Sequence, residues 1–352
     1  MTVCGFFCII QFVKLGLLIT IHESSLLDER AFRTLVEECY TPLFRLIKNN
    51  HRHRFSISID FSFLQLLNTY GYLELLATIK QLYSMERVEL VGSVAHGALL
   101  ADLSEDLLSA QIVLNEYALA HFFGSHQSFE GDKGYMIKNI AGFYPTKFVI
   151  DEDKARQILE MGYEWIPVKS TSADFGVRYE LKAESGALVS LDDTLSDLIA
   201  GDISKVADYL KMKGDSYCGF ACVDSQAFWF RNKEGVAYLD LLLTWLLEKN
   251  IELSTVSSLV GSLKSGQLSE FSSIADAGIS ERRKQFLQIQ QDLTEKFGDG
   301  LLVLEEQEIQ DYFEKKPATL VLNMHQALSG DRYEDSLAKA YFDLFTQISL
   351  GL

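Results

Sequence analysis

An α/β fold is predicted, with parallel strands joined by helices and either rolled into a barrel or left as an open wound sheet, and with a helical portion following it. Three observations carry this reading. Short apolar runs alternate with longer stretches of helical period over the first two thirds of the chain. Beyond about Val256 the strand signal fades and only helical periods remain. The chain also has 352 residues at 48% hydrophobic content, enough for one large core or two modest ones.

The first apolar run, Gly5 to Phe12, reads as a buried strand. The surrounding stretch Met1 to Thr20 imitates a secretion signal, but it lacks a basic start, and Lys14 interrupts it before it reaches membrane length. Asp28 to Lys48 then puts Phe32, Leu35, Val36, Leu43 and Leu46 on one side of a helix. Phe55 to Asp60 and Val88 to Ser93 are the next strands, and Ser104 to Phe122 is a helix whose first turn Ser104 can cap. Further strands are expected at Ile137 to Phe143, Tyr163 to Val168, Ala187 to Leu191, Tyr217 to Val223 and Ile251 to Thr255. Val177 to Val189 differs, because Arg178-Tyr179-Glu180-Leu181 alternates and Ser185-Gly186 offers a turn; a hairpin inserted into the wound pattern is expected there. Glu281 to Phe297, Glu305 to Glu314 and Tyr333 to Ile348 read as C-terminal helices. The division falls into a domain of residues 1–256 and a helical domain of residues 257–352, with the boundary spread over Ser254 to Ser273.

Charge narrows the partners. With 32 basic and 49 acidic residues the net charge is −17, a field that repels nucleic acid and anionic membrane surfaces but leaves neutral sugars unaffected. The five cysteines show no Cys-x-x-Cys spacing, so reduced thiols in a cytoplasmic protein are expected, with no zinc site or other metal. The pairs Cys4 with Cys8 and Cys218 with Cys222 have strand spacing that puts each pair on one face, as small core fillers. Nothing calls for a cofactor.

Gly142-Phe143-Tyr144-Pro145-Thr146-Lys147 resembles the third motif of glycoside hydrolase family 57, the α-glucan hydrolases and 4-α-glucanotransferases, in which this segment ends in the glutamate that attacks the sugar. Other segments extend the likeness in order along the chain. Val91-Gly92-Ser93-Val94-Ala95-His96-Gly97 is similar to a family segment with a sugar-contacting histidine, which His96 matches. Asp224-Ser225-Gln226-Ala227-Phe228 resembles the segment whose aspartate is the general acid/base, so the resemblance assigns that position to Asp224; Gln226 replaces a glutamate and Trp229 a glycine. Gln11, between Ile10 and Phe12, is what remains of a sugar-contacting His-Gln-Pro triplet. Thr194-Leu195-Ser196-Asp197-Leu198-Ile199 matches a further run. The C-terminal counterpart, His325 to Asp331, lacks the family's tryptophan.

The resemblance implies an incomplete (β/α)7 TIM-like barrel with its chemistry at the C-terminal ends of the strands. It also implies a cleft lined by Gln11, His96, Tyr144 and Trp229, with an α-glucan or maltooligosaccharide as ligand. Lys147 stands at the nucleophile position, where a retaining glycosidase needs a carboxylate about 5–5.5 Å from the acid/base. An amine cannot form and release a glycosyl ester, and its charge opposes an oxocarbenium-like transition state. Three readings stay open. The favoured one is a catalytically impaired relative that binds α-glucan or acts as a regulator with a protein partner. A working hydrolase or transferase with a displaced carboxylate, at Glu130, Asp132 or Asp151, is the second. An interaction protein without sugar binding is the third. A metal-dependent deacetylase would need an Asp and two His at strand ends, and His96 alone is placed for it.

Overall fold

The computed structural model describes residues 13–23, 27–100, 103–124, 140–169, 176–180, 186–214, 217–230 and 234–266. In chain order the elements are β1 (Lys14–Ile21), α1 (Glu29–Leu35), a π-helical turn (Val36–Tyr40), α2 (Thr41–Asn49), β2 (Phe55–Ile59), α3 (Phe61–Thr69), α4 (Leu73–Ser84), β3 (Val88–Val91) and α5 (Glu105–Phe123). A 3-10 turn (Thr146–Phe148) precedes α6 (Glu152–Glu160), β4 (Trp165–Val168), β5 (Val177–Glu180), β6 (Ala187–Ser190), α7 (Asp193–Gly201) and α8 (Val206–Lys213). β7 (Cys218–Asp224), α9 (Ala227–Phe230), α10 (Gly235–Glu248), β8 (Leu253–Ser254), α11 (Val256–Val260) and β9 (Lys264–Gly266) complete the described chain.

The strands close into a ring. β3, β2, β1 and β7 are successive neighbours in one parallel sheet. From β3 the ring passes to Gly142 and Phe143, which bridge Gly92 on one side and Trp165 on the other, both in parallel. β4 pairs in parallel with β6, and past the end of β6 the Asp192 N–H donates to the Phe220 carbonyl of β7 at 2.9 Å. The staves are thus β1, β2, β3, Gly142–Phe143, β4, β6 and β7, an incomplete (β/α)7 barrel. β5 runs antiparallel to β6, with Arg178 opposite Val189, which is the expected inserted hairpin, and β9 extends it on the outer side.

Period-two alternation sorts the side chains. Leu17, Ile19 and Ile21 of β1 and Phe55, Ile57 and Ile59 of β2 pack outward against the helices in the largest core cluster. Leu18, Val91, Trp165, Val189 and Phe220 join Val256 and Leu259 of α11 in a separate cluster inside the barrel. α11 seals the bottom: its first N–H groups, on Val256 and Ser257, donate to Ser56 Oγ at 2.8 Å and Glu89 Oε1 at 3.2 Å, and Trp165 Nε1 donates to Ser257 Oγ at 2.8 Å. The barrel therefore continues past Val256.

Two local expectations change. The first stave is Lys14–Ile21, whereas Gly5 to Phe12 lies outside the described residues. Lys14 starts the strand rather than breaking it, because at the exposed bottom edge its ammonium reaches Ser262 Oγ at 2.7 Å. The helix expected over Asp28 to Lys48 is two α-helices joined by the π-helical turn, capped by Asp28, which accepts from Ala31 N at 2.8 Å. Ser104 caps α5 as expected. The C-terminal helices from Glu281 onward lie outside the described residues.

Candidate functional site

At the C-terminal ends of the staves the inward positions turn polar. On β1 the inward series runs Leu18, Thr20, His22; on β2 it runs Ser56, Ser58, Asp60; on β7 it runs Phe220, Cys222, Asp224. The registers set their heights, since Thr20 lies opposite both Ser58 and Asp224. Tyr144, directly after the fourth stave, reaches across this level. Its ring centroid is 5.2 Å from that of His22, and its hydroxyl is hydrogen-bonded to Thr20 and accepts the Lys147 N–H at 3.3 Å. Burial, with Cys222 and Asp224 nearby, raises the phenol above its ordinary range, so it stays protonated as a donor. Tyr144 forms the floor of a mouth walled by β1, β2, β7 and the loop after the fourth stave.

Asp60 is the buried charge of this mouth. It caps α3, accepting from Phe63 N at 2.9 Å through Oδ1, while Oδ2 lies 3.5 Å from His22 Nδ1. Burial pushes its carboxyl above the usual carboxylate range, and His22 and the Phe63 N–H pull it back. The same imidazole has its Nε2 3.5 Å from Ser58 Oγ. His96 lies beyond, buried, with Nδ1 2.7 Å from Ser62 Oγ, its backbone N–H donated to Gln111 Oε1 at 3.3 Å, and its ring edge-on to Phe61. Gly97 follows at φ +64°, and a Cβ there would sit 4.0 Å from Asp60 Oδ2, so the carboxylate and the His96 loop share one wall.

Behind β1, Glu23 is buried and accepts from Tyr40 Oη and, at 2.7 Å, from Gln226 Nε2. This bond ties the β1 end to the turn after β7. That turn is started by Asp224, whose Oδ1 accepts the Gln226 N–H at 2.8 Å while the residue stays exposed.

The structure therefore brings four of the expected positions to one end of the barrel: Lys147, Tyr144, Asp224 and His96. Lys147 is exposed and left-handed, at φ +56° and ψ +18°, followed by Phe148 at φ +61°. Gly142, which opens its motif, is required by packing, because a Cβ there would meet Trp165 Cζ2 at 2.1 Å. Trp229 lies in α9, immediately past β7, with its side chain outside the described residues. Gln11 precedes β1 and also lies outside them; the end of the first stave belongs to His22 and Glu23 instead.

Sequence reasoning missed His22 and Asp60 at the mouth, and Lys169, which follows β4 with its Nζ 5.8 Å from the Phe148 ring centre. A signal for the first existed, since the apolar run Leu15 to Ile21 ends on His22 and Glu23. Among the described residues no group of three or more His, Cys, Asp or Glu side chains is placed to hold a metal ion. No described helix is long and apolar enough to cross a membrane.

A seven-stave strand-and-helix barrel with imidazoles, carboxylates and a tyrosine gathered at its C-terminal mouth defines the class of barrel proteins that work at that face. The family profile described as Glycosyl hydrolase family 57 matches residues 11–271, and the chain belongs to that family. No curated protein matches the chain. Among solved structures it is similar to the 4-α-glucanotransferase from Thermococcus litoralis, with TM-score 0.71 and 14% identity, covering 97% of this chain and 60% of that one. The α-amylase AmyC from Thermotoga maritima gives 0.69 and 13%, covering 97% and 94%, and a branching enzyme from Thermococcus kodakaraensis, solved with glucose, gives 0.65 and 12%, covering 95% and 86%. The chain thus spans about 60% of the glucanotransferase's length. At these identities the likeness shows the fold.

Proposed function

We propose that this chain is a catalytically impaired member of its family that binds an α-glucan or maltooligosaccharide at the barrel mouth and acts in the cytoplasm as a regulator with a protein partner. The observation that carries the reading is Lys147. By the motif resemblance it takes the family's nucleophile position and Asp224 the acid/base position; Lys147 lies on the turn after the fourth stave, at the same end of the barrel as Asp224. A glycosyl ester needs a carboxylate at that point, and an ammonium group supplies neither the bond nor the negative field.

Binding is supported separately from catalysis. Tyr144, His22 and Asp224 offer hydrogen-bonding groups around a partly apolar floor, the composition that recognises sugar hydroxyls while packing a ring face. These groups favour sugar binding over a purely structural role. Of the displaced-carboxylate candidates, Asp151 caps α6 and accepts the Lys154 N–H at 2.8 Å. Glu130 and Asp132 lie outside the described residues.

Titration calorimetry with maltoheptaose, run beside a reducing-end assay on α-1,4-glucan, tests the proposal. Binding heat without release of reducing ends is expected. Release that disappears in Asp224→Asn would show a working hydrolase and overturn the reading.

A further inference from the structure

The two sides of the mouth carry opposite charge. On the β7 side stand Asp224 and, at the start of α7, Asp193. On the other side, Lys147 follows the fourth stave and Lys169 follows β4, the adjacent stave, and both are exposed. One aromatic pair carries the two lysines. Phe148 packs edge-on to Tyr144 with ring centroids 5.2 Å apart, Lys169 Nζ lies 5.8 Å from the centre of the Phe148 ring, and the Lys147 N–H is bonded to Tyr144 Oη. Cys222, facing inward on β7, registers both sides: burial and Asp224 push its thiol up, while Lys169 pulls it down. Lys169 follows the inward-facing Trp165 by four residues on the same stave, so strand alternation puts it on the inner face.

Two lysines stand at the ends of adjacent staves, where a neutral glucan offers no opposite charge. In a chain of net charge −17, whose overall field excludes anions, this wall is a local exception to that field. We infer that the mouth takes a sugar bearing an anionic group, a phosphate monoester or a carboxylate, with that group against Lys147 and Lys169 and the sugar hydroxyls toward Asp224. The inference rests on the sugar-binding reading above and specifies its ligand class. The ammonium of Lys147 then has a positive role at a position where the family places a carboxylate. An anion of this kind accepts several charge-assisted hydrogen bonds at once, and lysines are point-charge partners for it.

Calorimetric titration of the full chain with four probes tests this: maltotriose, maltose 1-phosphate, a disaccharide ending in glucuronate, and inorganic phosphate. At low salt at least one charged sugar should bind about fivefold or more tighter than maltotriose, the effect of one partly exposed ion pair, and high salt should erase the difference. The phosphate and glucuronate arms identify which anion is preferred. Lys147→Met and Lys169→Met should each remove most of the advantage and Lys169→Arg should keep it, with thermal melts verifying that all three are folded. Equal affinity for neutral and charged sugars overturns the inference and leaves the sugar-binding reading standing. An advantage that survives both methionine variants also overturns it, as does inorganic phosphate binding as tightly as maltose 1-phosphate. No heat with any probe overturns both readings.

Discussion

The floor of the barrel and its mouth are built from the same staves, yet they obey different rules. On β1 the inward series passes from Leu18 to His22 in four residues, and on β7 from Phe220 to Asp224 over the same span. Below, the side chains of the inner cluster are buried, and the first two N–H groups of α11 are bonded to Ser56 and Glu89. Above, a buried carboxylate sits 3.5 Å from an imidazole, two lysines and an aspartate are exposed, and the backbone at Lys147 and Phe148 is left-handed. The difference teaches that stability is concentrated in the floor, so the mouth can change its chemistry without unfolding the protein.

Truncating the floor should have the largest effect. Phe220 is fully buried among Leu18, Trp165, Val189 and Leu259, and Phe220→Ala removes its burial and leaves a cavity that the surrounding staves cannot close. A loss of about 3–5 kcal/mol in urea unfolding is expected. Asp224→Asn, at the top of the same strand and exposed, should shift stability by no more than about 0.5 kcal/mol. If the two variants lose comparable stability, the division between floor and mouth is wrong.

A smaller effect tests a charge buried away from both regions. Glu116 of α5 is buried and accepts from Tyr163 Oη at 2.5 Å, and burial raises its carboxyl from 4.5 to about 7. The folded chain holds this proton over a pH range in which the unfolded chain has released it. Stability from this group is therefore fully present near pH 4.5, falls as pH rises towards about 7, and is flat above that. The fall is on the order of 3 kcal/mol at most. In Glu116→Gln that component of the pH profile should vanish and stability at pH 8 should rise. Parallel profiles for the wild type and the variant from pH 5 to about 7 would remove Glu116 from the account.

Most staves were legible as short runs with strand character: Phe55–Ile59 alternates large apolar residues with serines, and Cys218–Asp224 is small and apolar up to its final aspartate. The hairpin was legible from alternation and a turn, and the start of α5 from Ser104. The strand expected at Gly5 to Phe12 lies outside the described residues, and the first described stave begins at Lys14. In the barrel Lys14 marks the exposed lower end, and the described strand leads into His22 and Glu23 at its upper end. At the mouth, the positions of Lys147, Tyr144, Asp224 and His96 could be read through their motifs. Asp60 and Lys169 could not: a carboxylate after a strand reads as a helix cap, which Asp60 also is, and a lone exposed lysine carries no periodic signal. What makes Lys169 part of the mouth is Phe148, a contact made only once the chain has folded.

A smaller stability effect than that of Glu116 separates floor from mouth most sharply, because its sign is opposite. Lys147 sits at φ +56° and ψ +18°, a conformation that costs a residue with a Cβ about 1–2 kcal/mol and glycine almost nothing. Lys147→Gly removes that strain, but it also frees the unfolded chain, which returns part of the gain. A net stabilisation of up to about 1 kcal/mol in urea unfolding is expected, together with loss of the preference for charged sugars. A floor residue has no such option, since truncating it lowers stability and leaves ligand choice untouched. A glycine variant that is clearly less stable than the wild type would mean that the Lys147 side chain supports the fold, and the residue would then belong with the floor. A stabilised variant that has lost its anion preference would show that the strained lysine is kept for binding, at the expense of stability.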